Sequence, residues 1–225
     1  MPRPNAVHVK AGGLLVAVEG SDGSGKSTQI QLLYRYLLRK GLPVHLTTWN
    51  SSPSVHPLQR TAKRARELTP MTFSLVNAAD FADRYEREIQ PRLALRQVVL
   101  CDRYIGTAYA RDGARGVEPG WIERIYSFAR PADLTLFFHA PVEVAAGRIL
   151  RSRQSFSYYE AGLDLGLSED PTESFLRFQG SVVRRYEEIE RRMGYVRIDA
   201  TRPMREQQRA VRRRIDAFLL GGGAS

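Results

Sequence analysis

The sequence predicts a single α/β domain in which a five-stranded parallel sheet carries helices on both faces. Three observations support this prediction. Short apolar runs alternate with longer amphipathic stretches along the chain, as is typical of a parallel sheet covered on both sides. A glycine-rich turn joins the first apolar run to a helical stretch, and 225 residues can bury one large core. We therefore expect one domain over residues 1–225, with loose ends at 1–5 and 221–225.

Short apolar runs place the strands, and apolar residues that recur at spacings of three and four place the helices. The predicted strands are 14–19, 44–48, 98–101, 134–138 and 195–199. The predicted helices are 27–40, about 55–67, 72–95, 119–128, 142–153, 173–193 and 203–220. The clearest helical stripe, which we assign to the core, consists of Phe175, Phe178, Val182, Tyr186, Ile189 and Met193.

The segment from Gly20 to Ser27 has the pattern Gly-x-x-x-x-Gly-Lys-Ser and lies between the first strand and the first helix. Glycines permit backbone angles closed to other residues, so N–H groups can converge on phosphate oxygens at the positive end of that helix. Lys26 is expected to reach the β- and γ-phosphates, and Ser27 to place its hydroxyl on Mg²⁺. A glycine-rich turn with a chance lysine is disfavoured, because strand, loop and helix occur in the expected order. The motif predicts a nucleoside triphosphate ligand.

Composition excludes several classes of protein. No apolar run approaches the roughly 18 residues that span a membrane, and the chain does not begin like a signal peptide, so a cytoplasmic protein is expected. The lone Cys101 excludes internal disulfides and a cysteine zinc site. The net charge of +10 is dispersed over helical faces, which favours a basic surface over nucleic-acid binding. Low-affinity polyanion binding remains open for Arg60, Lys63, Arg64 and Arg66.

Residues that directly follow a strand are candidates for the site, because parallel α/β sheets bind ligands beyond the carboxyl ends of their strands. Asp102 follows the apolar strand 98–101, and an acid at this place is expected to contact Mg²⁺ directly or through water. Arg103 beside it can clamp a second phosphate with its planar guanidinium. An Asp–Arg pair that only closes the strand end is the alternative.

Four short motifs occur in order: the segment Val16 to Gln29, Ala78-Ala79-Asp80, Asp102-Arg103-Tyr104, and Pro131 to Phe138 followed by Pro141 and a helix with Arg148. Together they resemble the thymidylate kinase family over most of residues 14–200. The resemblance implies a three-layer P-loop kinase fold with a lid, and a homodimer. It also implies transfer of the γ-phosphoryl group of ATP to a nucleoside monophosphate, with dTMP favoured.

The resemblance also implies roles for individual residues. Asp22 approaches the sugar and phosphate of the acceptor, Arg103 holds its phosphate, and Lys26 serves ATP. Ser27 and Asp102 are expected to hold Mg²⁺. These roles agree with the chemistry, because phosphoryl transfer requires positioning and neutralisation of charge. The residues expected to contact ATP are Gly20, Ser21, Asp22, Gly23, Ser24, Gly25, Lys26, Ser27, Thr28 and, on the adenine side, Arg148.

Residues 151–172 form a polar, glycine-containing stretch that is too long for an idle connection in a compact domain. We interpret it as a mobile lid that excludes water from the transferring group. The family carries a catalytic arginine inside the phosphate loop or in the lid. Because the loop position here is Gly23, the resemblance assigns that charge to Arg151 or Arg153; solvated arginines on an exposed helix end are the alternative. Tyr158 either stacks on the acceptor base or packs the closed lid down.

The motifs around the acceptor depart from the family pattern. Thr48 to Pro53 replaces Arg-Glu-Pro-Gly-Gly after the second strand, and Thr107 to Asp112 replaces Ser-x-x-Ala-Tyr-Gln. Phe81 stands where an arginine usually follows Ala-Ala-Asp; we expect it to stack on the acceptor base while Arg84 supplies the displaced charge. A local Asp80–Arg84 ion pair is an equally favoured alternative. The residues expected to contact the acceptor are Asp22, Asn77, Phe81, Arg84, Arg103, Thr107 and Tyr158.

The sequence also leaves other functions to consider. A P-loop kinase of the same build that acts on a different small acceptor is the main alternative, because the departures all fall around the acceptor. A GTPase is disfavoured, since the sequence contains no Asn-Lys-x-Asp to read guanine. A nucleic-acid-dependent ATPase or a simple polyanion binder is a lesser alternative, which depends on the basic charge and on the segment Arg60 to Arg66.

Overall fold

A computed structural model describes residues 12–219 of the chain. It confirms the α/β class and the five-stranded parallel sheet, and each strand lies within one residue of its predicted place. The strands are β1 (Leu14–Glu19), β2 (Val44–Thr48), β3 (Val98–Asp102), β4 (Leu134–His139) and β5 (Val196–Asp199). The helices are α1 (Lys26–Arg39), α2 (His56–Ala65), α3 (Pro70–Arg84), α4 (Gln90–Ala94), α5 (Ile105–Ala114), α6 (Pro119–Ile125), α7 (Val142–Arg153), α8 (Pro171–Met193) and α9 (Met204–Leu219).

The order of the strands across the sheet is β2-β3-β1-β4-β5, so β1 lies at the centre between β3 and β4. Side chains alternate along β1. Leu14 and Val16 face the core that α1 and α9 cover, whereas Leu15 and Ala17 face the core that α3 and α5 cover. This alternation builds the three layers, and the parallel pairing of the strands brings the carboxyl ends of β1, β2 and β3 to one edge of the sheet.

The predicted helix over 72–95 contains a feature that the apolar pattern did not indicate. Residues 85–89 form a π-helical turn between α3 and α4, in which the N–H of Gln90 donates to the carbonyl oxygen of Tyr85. Pro91 follows directly and has no N–H to donate. A proline ring also clashes with the carbonyl oxygen of the preceding turn, so the wider turn relieves a clash that a regular α-helix would suffer.

Helix α5 is absent from the sequence prediction, which left residues 105–114 without regular structure; the structure corrects this. The segment contains Gly106, Thr107 and Gly113, which are weak helix formers. The segment is helical because it packs against the sheet and α8, where Ile105, Ala108 and other apolar residues of the helix are buried. The helix directly follows Arg103 and therefore helps to position the site.

Within residues 12–219, none of the helices combines the length and the apolar character needed to cross a membrane. Cys101 is buried in β3, and burial raises the pKa of its thiol to about 12, so the thiol stays protonated at neutral pH. The predicted loose ends at 1–5 and 221–225 lie outside the described residues.

Candidate active site

The glycine-rich loop connects the end of β1 to the first turn of α1 at the carboxyl edge of the sheet. Gly25 precedes the helix in the left-handed conformation (φ 86°), and Gly23 is also left-handed (φ 79°). A Cβ atom at Gly23 would lie 2.4 Å from the carbonyl oxygen of Ala145 in α7. Both the backbone conformation and the close approach of α7 therefore require glycine there, which explains why this loop position carries no side chain.

Lys26 and Ser27, the two functional side chains of the loop motif, lie beside the end of β3. The Lys26 ammonium is buried and donates to the carbonyl oxygen of Ser21 at 3.1 Å. Burial lowers its pKa to about 8, and the neighbouring Arg103 contributes in the same direction. The Ser27 hydroxyl donates to a carboxylate oxygen of Asp102 at 3.1 Å. The structure thus brings together the two residues predicted to hold a cation.

Asp22 occupies the centre of the site. One carboxylate oxygen accepts a hydrogen bond from Arg103, and the other lies 3.3 Å from the Arg111 guanidinium and accepts from the Gln179 amide at 3.3 Å. Burial alone would raise the pKa of Asp22, but the charges of Arg111, Arg103 and Lys26 outweigh it and hold the pKa well below its usual range. Asp22 is therefore ionised at any physiological pH.

The backbone of Arg103 is held in an uncommon conformation by its neighbours. Its φ of +74° lies in the left-handed region, which is costly for a residue with a side chain. The N–H of Arg103 donates to the Val18 carbonyl at 3.0 Å, and Arg84 donates to the Arg103 carbonyl at 3.1 Å. The Arg103 guanidinium also donates to the Gly20 carbonyl at 3.1 Å. These bonds fix Arg103 between the phosphate loop and Asp22.

Beneath Arg103 lies a buried polar network that the sequence reasoning missed. Glu19, at the end of β1, is fully buried, and burial raises the pKa of its carboxyl group. Its oxygens accept from the Tyr104 and Thr107 backbone N–H groups at 2.9 and 3.1 Å, and from the Thr107 and Tyr186 hydroxyls at 2.7 and 2.8 Å. A buried carboxylate with four donors is well satisfied, so this network anchors the start of α5 to the sheet.

The phosphate loop, the strand ends and two residues of the predicted lid border an open cavity of about 350 Å³. Seven of its lining side chains are charged, and nearly all of its accessible lining is polar, as suits a phosphate-bearing ligand. The lining residues are Asp22, Gly23, Lys26, Ser27, Thr48, Trp49, Asn50, Asp102, Arg103, Arg111, Arg153 and Glu160. The predicted residues Asp22, Lys26, Ser27, Asp102, Arg103 and Arg153 are thus brought together at one place.

Both predicted lid arginines are exposed near the end of α7, but only Arg153 of the two lines the cavity, where it forms an ion pair with Glu160. Most of the predicted lid follows as irregular chain. It is held down, because Arg115 of α5 donates to Asp164 at 2.9 Å and to the Tyr159 carbonyl at 2.7 Å. These contacts hold the segment against α5 beside the cavity.

Arg148 and Thr28 lie on the other side of the loop, outside the cavity lining. The Arg148 guanidinium donates to the Ser24 carbonyl at 3.2 Å and to the Ala200 carbonyl at 2.7 Å, so it joins the phosphate loop to the connection between β5 and α9. Thr28 is exposed in the first turn of α1.

Two residues predicted to contact the acceptor are deeply buried. Phe81 is 1% exposed, and aromatic rings surround it, including Trp49 at a centroid distance of 5.4 Å. This corrects the expectation that Phe81 presents a free face to a base, because Trp49 lines the cavity in its place. Arg84 is also 1% exposed, with its guanidinium 5.5 Å from the Trp49 ring centroid. Within the described chain Arg84 forms no ion pair with Asp80 within 4.0 Å, so that alternative is wrong.

The other three acceptor predictions fall outside the cavity lining. Asn77 is buried, and its carbonyl oxygen accepts from the Gln59 amide at 2.7 Å. Thr107 belongs to the buried network of Glu19. Tyr158 lies against the Arg66 guanidinium, 4.6 Å from the ring centroid, which agrees with the alternative that it packs the lid down.

Sequence reasoning missed Arg111, Gln179 and Trp49 as components of the site. The sequence did give a reason to examine Arg111, because this residue replaces the tyrosine of a family motif that follows β3. It also gave a reason to examine Trp49, since this residue stands just after β2. Nothing in the sequence pointed to Gln179, because it lies in the middle of α8 and reaches Asp22 only through the fold.

These features define a class of protein. A parallel sheet with a phosphate loop after its central strand, an acid paired with the loop serine, and cations around one cavity constitute a P-loop nucleotide-binding protein built for phosphoryl transfer. The chain belongs to the thymidylate kinase family, whose model, described as thymidylate kinase, matches residues 18–211.

Individual relatives agree with this assignment. The chain is 42% identical over 210 residues to a probable thymidylate kinase 2 of Saccharolobus solfataricus, covering 92% of this chain and 97% of the relative. It is 34% identical over 194 residues to a probable thymidylate kinase of Caldivirga maquilingensis, covering 84% and 86%. It is 33% identical over 213 residues to a thymidylate kinase of Pseudomonas fluorescens, covering 88% and 93%.

Proposed function

We propose that this protein transfers the γ-phosphoryl group of ATP to dTMP, which yields ADP and dTDP. Membership of the thymidylate kinase family supports the reaction and both substrates. The structural observation that carries the proposal is the convergence of Lys26, Arg103 and Arg111 on one cavity at the carboxyl edge of the sheet. Phosphoryl transfer needs little covalent chemistry from the protein, and it depends on cations that position and neutralise the phosphates.

Each residue acts on a particular part of the reactants. The backbone N–H groups of the loop and the Lys26 ammonium bind the ATP phosphates, and Arg148 supports the loop on the adenine side. Arg103 binds the phosphate of the acceptor, and Asp22 orients Arg103. Arg153 is the lid cation of the site, because Gly23 leaves no room for an arginine in the loop and Arg153, unlike Arg151, lines the cavity. The closed lid excludes water, which would otherwise hydrolyse ATP.

We infer that Ser27 and Asp102 hold Mg²⁺ together with phosphate oxygens. A hydroxyl and a carboxylate in contact at 3.1 Å provide the oxygen ligands that this ion prefers. Among residues 12–219, no cluster of three or more His, Cys, Asp and Glu side chains could hold a metal by itself. This agrees with an ion that takes only one or two protein ligands and depends on substrate oxygens for the rest. The ion would neutralise charge on the transferring group.

A panel assay tests the reaction. ADP release from ATP is measured with dTMP, dUMP, CMP, AMP, GMP, a single-stranded oligonucleotide, or no acceptor, and with Lys26→Ala as the inactive control. Stimulation by dTMP above every other acceptor is the expected result. Stimulation by another monophosphate would favour the alternative of a different small acceptor, which the uncharged lining by Thr48, Trp49 and Asn50 keeps open. Stimulation by the oligonucleotide alone would refute the proposal.

We also propose a homodimer, as the family resemblance implies. Helix α3 exposes Met71 and Leu75, which lie one turn apart, at 46% and 45% of their surface. Apolar side chains in such a row are candidates for contact with a second copy. Sedimentation should show a dimer for the native chain and a monomer for Leu75→Glu. A native monomer at micromolar concentration would contradict the proposal.

A further inference from the structure

The acceptor side of the cavity lacks a charge that the family motif would lead one to expect. After β2, the chain has Thr48, Trp49 and Asn50 where the family has an arginine, and these three residues line the cavity without any charge. A phosphate monoester carries close to two negative charges at neutral pH. The charge that binds it in this protein must therefore come from another element.

Helix α5 supplies a cation to the same place. Arg111 lies two turns into this helix, and its guanidinium is 3.3 Å from one carboxylate oxygen of Asp22, whereas Arg103 binds the other oxygen. The side chains of Arg111 and Arg103 are 16% and 10% exposed, so both are largely removed from bulk solvent but still line the cavity. Two guanidinium groups thus flank a single carboxylate at the cavity wall.

The site leaves part of this positive charge without an acceptor. The Arg111 Nε atom is buried and has no hydrogen-bond partner within the described chain. Of the acids that line the cavity, Glu160 is paired with Arg153 and Asp102 accepts from Ser27, so Asp22 alone faces both Arg103 and Arg111. A buried donor without a partner is costly unless a ligand satisfies it. An anion bound between the two guanidinium groups would do so.

The helix that carries Arg111 is fixed at both ends. The next residue, Asp112, is buried and accepts a hydrogen bond from Ser74 of α3 at 2.5 Å. The other end of the helix is anchored by Glu19 through the Thr107 backbone and hydroxyl. A cation on such a helix loses little conformational entropy when a ligand binds.

We propose that Arg111 binds the acceptor's phosphate monoester together with Arg103 and replaces the arginine missing after β2. This inference rests on the proposed function, and it names a residue that stands where the family motif has tyrosine. The two arginines would bind the phosphate from two sides. Arg103 lies at the end of β3 and Arg111 in α5, and Asp22 forms an ion pair with each of them. The contribution of Arg111 is thus directed at the phosphate and not at the nucleoside.

The experiment compares two ligands that differ only in the phosphate. Calorimetry measures the affinities of dTMP and thymidine for the native protein, for Arg111→Gln and for Arg111→Lys. The Arg184→Gln variant, at an exposed arginine of α8, is the matched control. We expect Arg111→Gln to weaken dTMP binding at least about tenfold, because a charge-assisted hydrogen bond is lost. Its thymidine affinity should change less than twofold. Arg111→Lys should recover part of the dTMP affinity, and Arg184→Gln should match the native protein.

Steady-state kinetics provide the second measurement. In Arg111→Gln the KM for dTMP should rise while the KM for ATP stays within twofold of the native value. An equal loss for dTMP and thymidine, an unchanged dTMP affinity, or a loss confined to ATP would each overturn the assignment. A native protein that binds neither dTMP nor thymidine would overturn the proposed function, and this assignment with it. If Arg111→Gln fails to fold, Arg111→Lys decides, because loss of the planar fork should still weaken dTMP binding several-fold without affecting thymidine.

Discussion

A buried ion pair holds the predicted lid against α5, and its removal should be strongly destabilising. The Arg115 and Asp164 side chains are 0% and 3% exposed, and the Arg115 Nε atom lies 2.9 Å from a carboxylate oxygen. The guanidinium also packs on the rings of Phe73 and Phe178, at 4.1 and 4.4 Å from their centroids. The substitution Asp164→Asn keeps the shape of the side chain but leaves a buried cation without its counter-charge. Removal of one partner of such a pair costs about 3–5 kcal/mol.

The change should be visible in both stability and motion of the lid. A loss of about 3–5 kcal/mol corresponds to a fall of roughly 6–20 °C in Tm for a chain of this size. Urea unfolding measures the free energy, and hydrogen exchange should show faster exchange at the lid amides, notably around Tyr159. Glu123→Gln is the matched control, since its pair with Arg192 is about half exposed and should contribute at most about 1 kcal/mol. If Asp164→Asn costs no more than this control, the buried pair does not hold the lid.

Three further predictions concern single ionisable groups. Lys26→Ala should lower kcat by roughly 10²–10³-fold or more without lowering the urea midpoint, because among residues 12–219 the ammonium donates only to a loop carbonyl and burial disfavours its charged form; near-normal turnover would contradict its role. Since burial and nearby cations lower the pKa of Lys26 to about 8, kcat/KM for ATP should decline as the pH rises above about 8, and a profile flat to pH 9.5 would show that the ammonium stays charged. Burial raises the pKa of Asp112 from 3.8 to about 6, so the folded state binds a proton that the unfolded state has released. The contribution of the protonated Asp112 carboxyl group to stability is complete below pH 4 and is lost as the pH rises through 6. Asp112→Asn should abolish this dependence and raise the free energy of unfolding at pH 7 by up to about 3 kcal/mol in urea titrations; a neutral-pH destabilisation would refute the argument.

The strands could be predicted from the sequence because each is a short apolar or alternating run in a sheet that helices cover on both faces. Helix α5 could not, since Gly106 and Gly113 lower its intrinsic propensity and only burial against α8 makes it helical. The π-helical turn before Pro91 could not either. The apolar spacing of three and four continues through it, whereas the clash that Pro91 would cause depends on backbone geometry.

The loop motif and Asp102-Arg103 were accessible to sequence reasoning because each lies within a few residues of a strand end. The acceptor side was less accessible. Arg84 was expected to face the acceptor, but it lies beneath Trp49 and donates to the backbone of Arg103. Helical periodicity shows which residues share a face, but it does not show whether that face meets a cavity or a layer of aromatic rings. Packing between α3 and the end of β3 decides this, and it is a property of the whole fold.

The position of Asp22 connects the two halves of the site. Its carboxylate belongs to the phosphate loop, but it contacts Arg103 after β3, Arg111 in α5 and the Gln179 amide in α8. The same Gln179 amide donates to the carbonyl oxygen of Glu160 in the lid at 2.9 Å. Gln179 thus contacts both Asp22, which orients the cations of the acceptor in the proposed mechanism, and the backbone of the predicted lid. Displacement of the lid backbone would remove one of the two acceptors of this amide, so closure of the lid and orientation of Asp22 favour each other. No motif could reveal such a link, because its members lie far apart in the sequence and meet only when the sheet has brought α5, α8 and the loop to one edge.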